Sequence, residues 1–292
     1  MKKITDIFLQ KEQTLSVEFF SPKTEKGQQK LEGSVAVICR DLHPDYLSVT
    51  YGAGGSTREG TGELVTSFQQ RFGLPVMHHL TCIGSSRDEL RALLAELYSK
   101  DVMNILALRG DAPADNESWQ PHAQGFHYAT ELVELIRSLY EDRFAVGVAG
   151  FPEDHPESSS SASDIRFLKS KIEAGSDFII TQFFFENSLY FDYVRRVREA
   201  GIQCRIIPGI LPITDYQGLL RFSAGCGASV PECVHEIFQD IADDPLETLR
   251  RGVAFAVDQC NQLLKNRAPG IHFYSVNKHE SLSKIIPQLD MK

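Results

Sequence analysis

The stretch DFIITQFF, residues 177–184, is one nearly unbroken apolar run of strand length. A strand is apolar at almost every position when both of its faces are covered, which is the condition inside a parallel sheet. Seven further runs share its β-branched and aromatic character. They are TLSVEFF (14–20), DYLSVTY (45–51), PVMHHLT (75–81), VMNILAL (102–108), RFAVGVA (143–149), QCRIIPG (203–209) and GIHFYSV (270–276). Amphipathic patterns lie between them. RDELRALLAELYSK (87–100) sets Leu90, Leu93, Leu94 and Leu97 on one stripe, and YATELVELIRSLYED (128–142) does the same with Leu132, Leu135, Ile136 and Leu139. SDIRFLKSKIEAG (163–175) starts at a serine cluster and stops at Gly175, and NSLYFDYVRRVREAG (187–201) also stops at Gly. Two short helices are expected between Thr214 and Gln239, and PLETLRRGVAFAVDQCNQLLKN (245–266) has Pro in its first turn.

Eight strands with helices between them predict an α/β fold, a (β/α)8 TIM barrel, at a chain length of 292 that suits it. No linker, repeat or break in composition divides the chain, so residues 1–292 are read as a single domain with a short extension at 1–13. ESSSSAS (157–163) is too short for a linker and is expected as a loop over one end of the barrel.

Composition narrows the function. Thirty Lys and Arg against 39 Asp and Glu give a charge of −9, which argues against broad contact with nucleic acid or anionic lipid. No run approaches the roughly 20 apolar residues of a membrane span, and MKKITDIFLQKEQ lacks the apolar core of a signal peptide. Six scattered cysteines without a CxxC pair read as reduced thiols in a cytoplasmic protein.

In such a barrel the functional groups stand at the C-terminal ends of the strands. Glu18 lies between Val17 and Phe19–Phe20. A carboxylate in that setting either holds its proton as a general acid with a raised pKa or points into a polar gap between helices. GAGGST (52–57) nearly matches a dinucleotide fingerprint, but Thr57 replaces the last Gly, so it reads as a strand-to-helix loop. His78 and His79 are adjacent, so they face opposite sides of their strand and cannot chelate one metal; no metal is expected. Arg109 and Asp111 flank Gly110 after the fourth strand, as a binding pair or a local ion pair. Glu153, Asp154 and His155 are bracketed by prolines after the fifth, and Gln182 closes the sixth among aromatics.

VEFFSPKT, VTYGAGGST, HHLTCIG, ALRGD, FPEDHPE, TQFFF and PGILPI, in this order over residues 17–213, with HFYSVNK at 272–278, resemble the methylenetetrahydrofolate reductases. The resemblance implies a flavoprotein barrel binding FAD, of the bacterial type without an appended regulatory domain. It implies an oxidoreductase that takes hydride from NADH or NADPH onto FAD and passes it to 5,10-methylenetetrahydrofolate, in ping-pong order. The product, 5-methyltetrahydrofolate, would supply methyl groups for methionine biosynthesis. A homo-oligomer is expected.

The resemblance also assigns roles. Glu18 matches the acid that protonates the folate, and Asp111 the carboxylate that stabilises the iminium and tunes the flavin. Gln182 matches a folate-recognising amide. Thr50, His79, Leu108, Arg109, Gly110, Asp111, Tyr128, Ala149, Phe151, His155, Asp164 and Lys171 match positions lining FAD, with Arg109 and Lys171 as phosphate partners. Phe151 stands where many members have Tyr, and Phe167 where Asn is frequent. Tyr216 replaces a Phe of the substrate loop, and Lys278 replaces an Arg at the folate tail, keeping the charge without the bidentate fork. The competing readings are a metal-dependent barrel hydrolase or aldolase using Asp111 and the histidines, and a barrel that binds folate or flavin without turnover.

Overall fold

Eight parallel strands close on themselves in sequence order. They are β1 (Thr14–Phe19), β2 (Tyr46–Val49), β3 (Val76–Thr81), β4 (Asn104–Leu108), β5 (Ala145–Gly150), β6 (Phe178–Phe183), β7 (Arg205–Ile210) and β8 (Gly270–Tyr274). The computed structural model describes residues 2–22, 24–51, 58–111 and 119–292. Each strand falls inside or within a residue of the apolar run expected for it. Closure is made by β1 pairing β8, with Ser16 opposite His272 and Glu18 opposite Tyr274.

The helices are α1 (Ile4–Phe8), α2 (Glu25–Leu42), α3 (Arg58–Phe72), α4 (Arg87–Ser99), α5 (Ala129–Tyr140), α6 (Ser161–Glu173), α7 (Asn187–Glu199), α8 (Tyr216–Cys226), α9 (Glu232–Phe238), α10 (Pro245–Lys265) and α11 (Leu282–Ile285). Local chemistry sets their ends. The Ser160 hydroxyl accepts from the Ser163 amide to start α6, and Gly175, at φ +112°, follows its end where a side chain would be strained. Asp244 caps α10, accepting from the amides of Leu246 and Glu247, with Pro245 in the first turn. Among the described residues no helix is long and apolar enough to cross a membrane.

Strand alternation divides the apolar residues between two cores. Val17, Phe19, Leu47, Val49, Leu80, Ile105, Val146 and Ile179 face outward and pack under the helices. Tyr46, Met77, Leu106, Phe178, Ile180 and Ile207 form a separate cluster inside the barrel. The expected N-terminal extension is ordered against that inner cluster. Ile4 and Ile7 of α1 join it, and Phe8 meets Phe178 edge-on at 5.2 Å. The Ile4 amide donates to Asn104 Oδ1 (2.7 Å), and Arg205 donates to the carbonyls of Phe8 and Lys11 (both 2.6 Å). Burying each isoleucine side chain contributes about 1.5–3 kcal/mol, which ties a short helix firmly to the N-terminal end of the barrel.

Candidate active site

Toward the C-terminal end, the interior turns polar on β8, β1, β2 and β3. Ser16 and Glu18 are two residues apart on β1 and so face the same side. Glu18 Oε2 stands 3.2 Å from His272 Nε2 on β8 and 3.2 Å from His79 Nε2 on β3. Behind the first ring, Ser16 Oγ shares a hydrogen bond with His272 Nδ1 at 2.8 Å. Beside the second, Ser48 Oγ of β2 lies 2.6 Å from His79 Nε2. The result is a continuous chain, Ser16–His272–Glu18–His79–Ser48, in which every side chain is buried. The Glu18 carbonyl in turn accepts from Ser275 Oγ (2.5 Å), fixing the strand at this point.

This arrangement corrects one expectation. Burial by itself raises the Glu18 pKa, as the apolar sequence neighbours imply. The two imidazoles outweigh it, through the charge of His79 and hydrogen bonds from both rings, and pull the carboxyl down to about 2. Glu18 therefore stands hydrogen-bonded between two imidazoles rather than alone among apolar neighbours. His272 has no role in the sequence reading beyond its place in HFYSVNK. Its signal is positional: it faces inward on the strand that closes against β1.

The two adjacent histidines divide as alternation requires. His79 faces inward to Glu18. His78 faces the other way, fully buried with both ring nitrogens unpartnered and 5.7 Å from the Tyr51 ring, and burial pushes its pKa down to about 3, keeping it neutral.

The rim after β4, β5 and α6 collects the cationic groups. Arg109 follows β4, and Gly110 adopts φ +86°; a Cβ there would stand 2.9 Å from Thr81. Glycine is required there both by its backbone conformation and by the packing of the Thr81 side chain. Arg109 forms a two-pronged pair with Glu157, at 2.5 and 2.7 Å. The neighbouring Asp111 is 3.9 Å away with an exposed carboxylate. On α6, Lys171 folds its ammonium onto the Ala149 carbonyl (2.7 Å). Desolvation there lowers its pKa to about 8, against the pull of nearby Asp164, whose own pKa is raised by burial. His155 meets the Phe151 ring edge-on at 4.7 Å, and its Nδ1 accepts from the Glu157 amide (3.1 Å).

Other expected residues are placed around this rim. Thr50 follows β2, where its carbonyl accepts from Ser21 Oγ at 2.7 Å. Leu108 ends β4, half-buried. Tyr128 stands just before α5, and its ring lies nearly parallel to that of Phe167 on α6, at 6.4 Å and 11°; both are exposed. Gln182 lies at the end of β6 with its Oε1 accepting from the Phe183 amide (3.1 Å), and lines a small cleft with Phe151, Phe183 and Cys226.

Further expected residues also have partners within the protein. Glu153 accepts from the Ser229 amide at 3.1 Å, and Asp154 pairs with Arg196 at 3.3 Å, so both anchor the β5–α6 loop to its neighbours. Tyr216 opens α8 with its hydroxyl 2.5 Å from His235 Nδ1 and its ring stacked on Phe238. Lys278 lies at the turn after β8, its amide donating to the Ser275 carbonyl (3.0 Å). That turn is held by Asn277, which accepts from the Phe20 amide (2.7 Å) and donates to the Phe20 carbonyl (2.9 Å). GAGGST (52–57) lies outside the described residues.

The chain is similar to known proteins over nearly its whole length. The profile described as methylenetetrahydrofolate reductase matches residues 3–290. The 5,10-methylenetetrahydrofolate reductase of Escherichia coli is 35% identical over 91% of this chain and 87% of its own. Methylenetetrahydrofolate reductase (NADH) 1 of Arabidopsis thaliana is 34% identical over 99% of this chain and 50% of its own. Methylenetetrahydrofolate reductase 1 of Schizosaccharomyces pombe is 35% identical over 95% and 46%. The chain thus spans about half the length of these plant and yeast relatives. A Clostridium thermocellum protein described as binding two copies of 5-methyl-5,6,7,8-tetrahydrofolic acid shares the fold, with a TM-score of 0.63 at 14% identity over 98% of this chain and 97% of its own.

Proposed function

Because the chain belongs to the methylenetetrahydrofolate reductase family, we propose that it reduces 5,10-methylenetetrahydrofolate to 5-methyltetrahydrofolate with electrons from NADH or NADPH, using FAD. The observation that carries this reading is the Glu18 carboxylate held between His79 and His272 inside the barrel.

The residues present fit a flavin dinucleotide. Gly110 packs its backbone against the side chains of Thr81 and Ile83, and that turn carries Arg109 to the rim. Arg109, just after β4, and Lys171 of α6, whose ammonium lies on the Ala149 carbonyl of β5, offer two cations to a diphosphate. The resemblance assigns Thr50, His79, Leu108, Ala149, Phe151, Asp164 and Tyr128 to the same ligand. Bound there, FAD would supply two-electron hydride transfer, accepting from the nicotinamide and delivering to the folate.

The chain's own task is the proton. Opening the five-membered ring of the folate requires a proton on the departing nitrogen. The Glu18–imidazole chain would hold that proton within a buried network, passing it along the hydrogen bonds that join His272, Glu18 and His79. Ser16 fixes the His272 ring from behind, so that Nε2 faces Glu18. At the rim, Gln182 would recognise the folate by its amide, and Asp111 would offer a negative charge to the developing cation.

The test is direct. Purified protein is expected to be yellow, to bleach with NADH or NADPH, and to recover its colour when 5,10-methylenetetrahydrofolate is added without oxygen. Colourless protein that requires a divalent metal for hydrolysis overturns the reading. Protein that bleaches but never passes electrons to the folate removes the reductase and leaves a flavin-binding barrel.

A further inference from the structure

The guanidinium expected to meet the cofactor's diphosphate already holds an anion. Arg109 Nη1 and Nη2 reach Glu157 Oε2 and Oε1 at 2.5 and 2.7 Å, the parallel two-bond geometry that a phosphate would use. Arg109 also donates from Nε to the Gly110 carbonyl (3.3 Å), so the fork is aimed by its own strand end. Glu157 comes from a different element, the serine-rich loop between β5 and α6. Its side chain is 64% exposed while that of Arg109 is 27% exposed, so the carboxylate reaches in from solvent to a guanidinium fixed in the wall. The second cation is held differently. Lys171 donates to the Ala149 carbonyl, and Asp164 acts on it only as a nearby charge.

We propose that Glu157 is a tethered stand-in for phosphate, which pairs with Arg109 in the absence of ligand and must be displaced, or share the guanidinium, when a diphosphate arrives. The inference rests on the flavin reading for the identity of its ligand, but its chemistry is that of any diphosphate. The carboxylate sits on an exposed loop and so can swing out into water without opening a void in the core. Its position lowers affinity for the ligand, because each binding event first breaks a two-pronged ion pair. It also prevents Arg109 from gathering unrelated anions, since only a ligand with further bonds to the rim can offset the broken pair.

The experiment compares the full-length protein, freed of nucleotide, with Glu157→Gln and with Glu173→Gln, a control of equal charge change at the far end of α6. Each is titrated with FAD, riboflavin and inorganic pyrophosphate by fluorescence and calorimetry. Glu157→Gln is expected to bind FAD and pyrophosphate about tenfold more tightly than the parent, and riboflavin, which lacks the diphosphate, equally. Glu173→Gln is expected to match the parent. Unchanged or weaker pyrophosphate and FAD binding by Glu157→Gln overturns the proposal, as does an equal gain by Glu173→Gln or for riboflavin. If FAD binds neither protein while pyrophosphate binds Glu157→Gln more tightly, this proposal stands and the flavin reading falls. If FAD binds both proteins equally, the flavin reading stands and this proposal falls. Failure of both probes on both proteins overturns the two together.

Discussion

His272 Nε2 lies 3.2 Å from Glu18 Oε2 although the two residues are 254 positions apart in the chain. Their meeting is made by barrel closure, which lays β8 beside β1. On the proposed function, the acid role belongs to this network rather than to one side chain. Glu18→Gln is expected to leave reduction by NAD(P)H within about twofold while slowing the folate half-reaction by about a thousandfold or more. Stopped-flow measurement of the two halves checks this, and equal loss in both would remove Glu18 from proton transfer. His272→Ala is expected to follow the same split with a smaller loss, because His79 remains beside the carboxylate.

Lys171 makes stability and binding depend on alkaline pH. Its folded pKa, about 8, is below its ordinary value of 10.5. The unfolded chain therefore holds more protons between those values, so this residue adds stability as pH rises from about 8 to about 10.5. Lys171→Met is expected to flatten that rise in urea midpoints. A bound diphosphate restores the charged form, so FAD binding at pH about 9 is expected to take up protons, read with an indicator dye. Proton release or no exchange would place the ligand elsewhere.

Asn277 replaces a missing rung of the β-ladder. Its amide satisfies both the amide and the carbonyl of Phe20, just past the end of β1. Asn277→Ala is expected to cost about 2 kcal/mol, from two backbone groups left without partners. Urea unfolding measures it, and a loss below about 0.5 kcal/mol would mean that water replaces the side chain fully.

Gly110 carries a double constraint, a positive φ and 2.9 Å of room. Gly110→Ala is expected to destabilise the protein by about 1–3 kcal/mol and to weaken FAD binding, since Arg109 is aimed by the same turn. Wild-type values for both in thermal melts and titrations would show that the rim relaxes around a methyl group.

The sequence shows the barrel clearly because each strand is covered on both faces and so is written as an apolar run. Rim residues such as Arg109 and His155 are legible because they follow those runs. Ser16, Ser48 and His272 are not, since inward polar positions gain meaning only when strands distant in sequence become neighbours. The Glu18 pKa runs opposite to its sequence expectation for the same reason. Its sequence neighbours are apolar, whereas its spatial neighbours are imidazoles. Glu157 is likewise invisible from spacing, because its partner lies 48 residues away on another loop.

Helix α1 has a consequence for traffic. With Ile4, Ile7 and Phe8 packed against Met77 and Phe178, the N-terminal end of the barrel is stoppered. A ligand bound beside Glu18 is therefore expected to come and go through the C-terminal mouth.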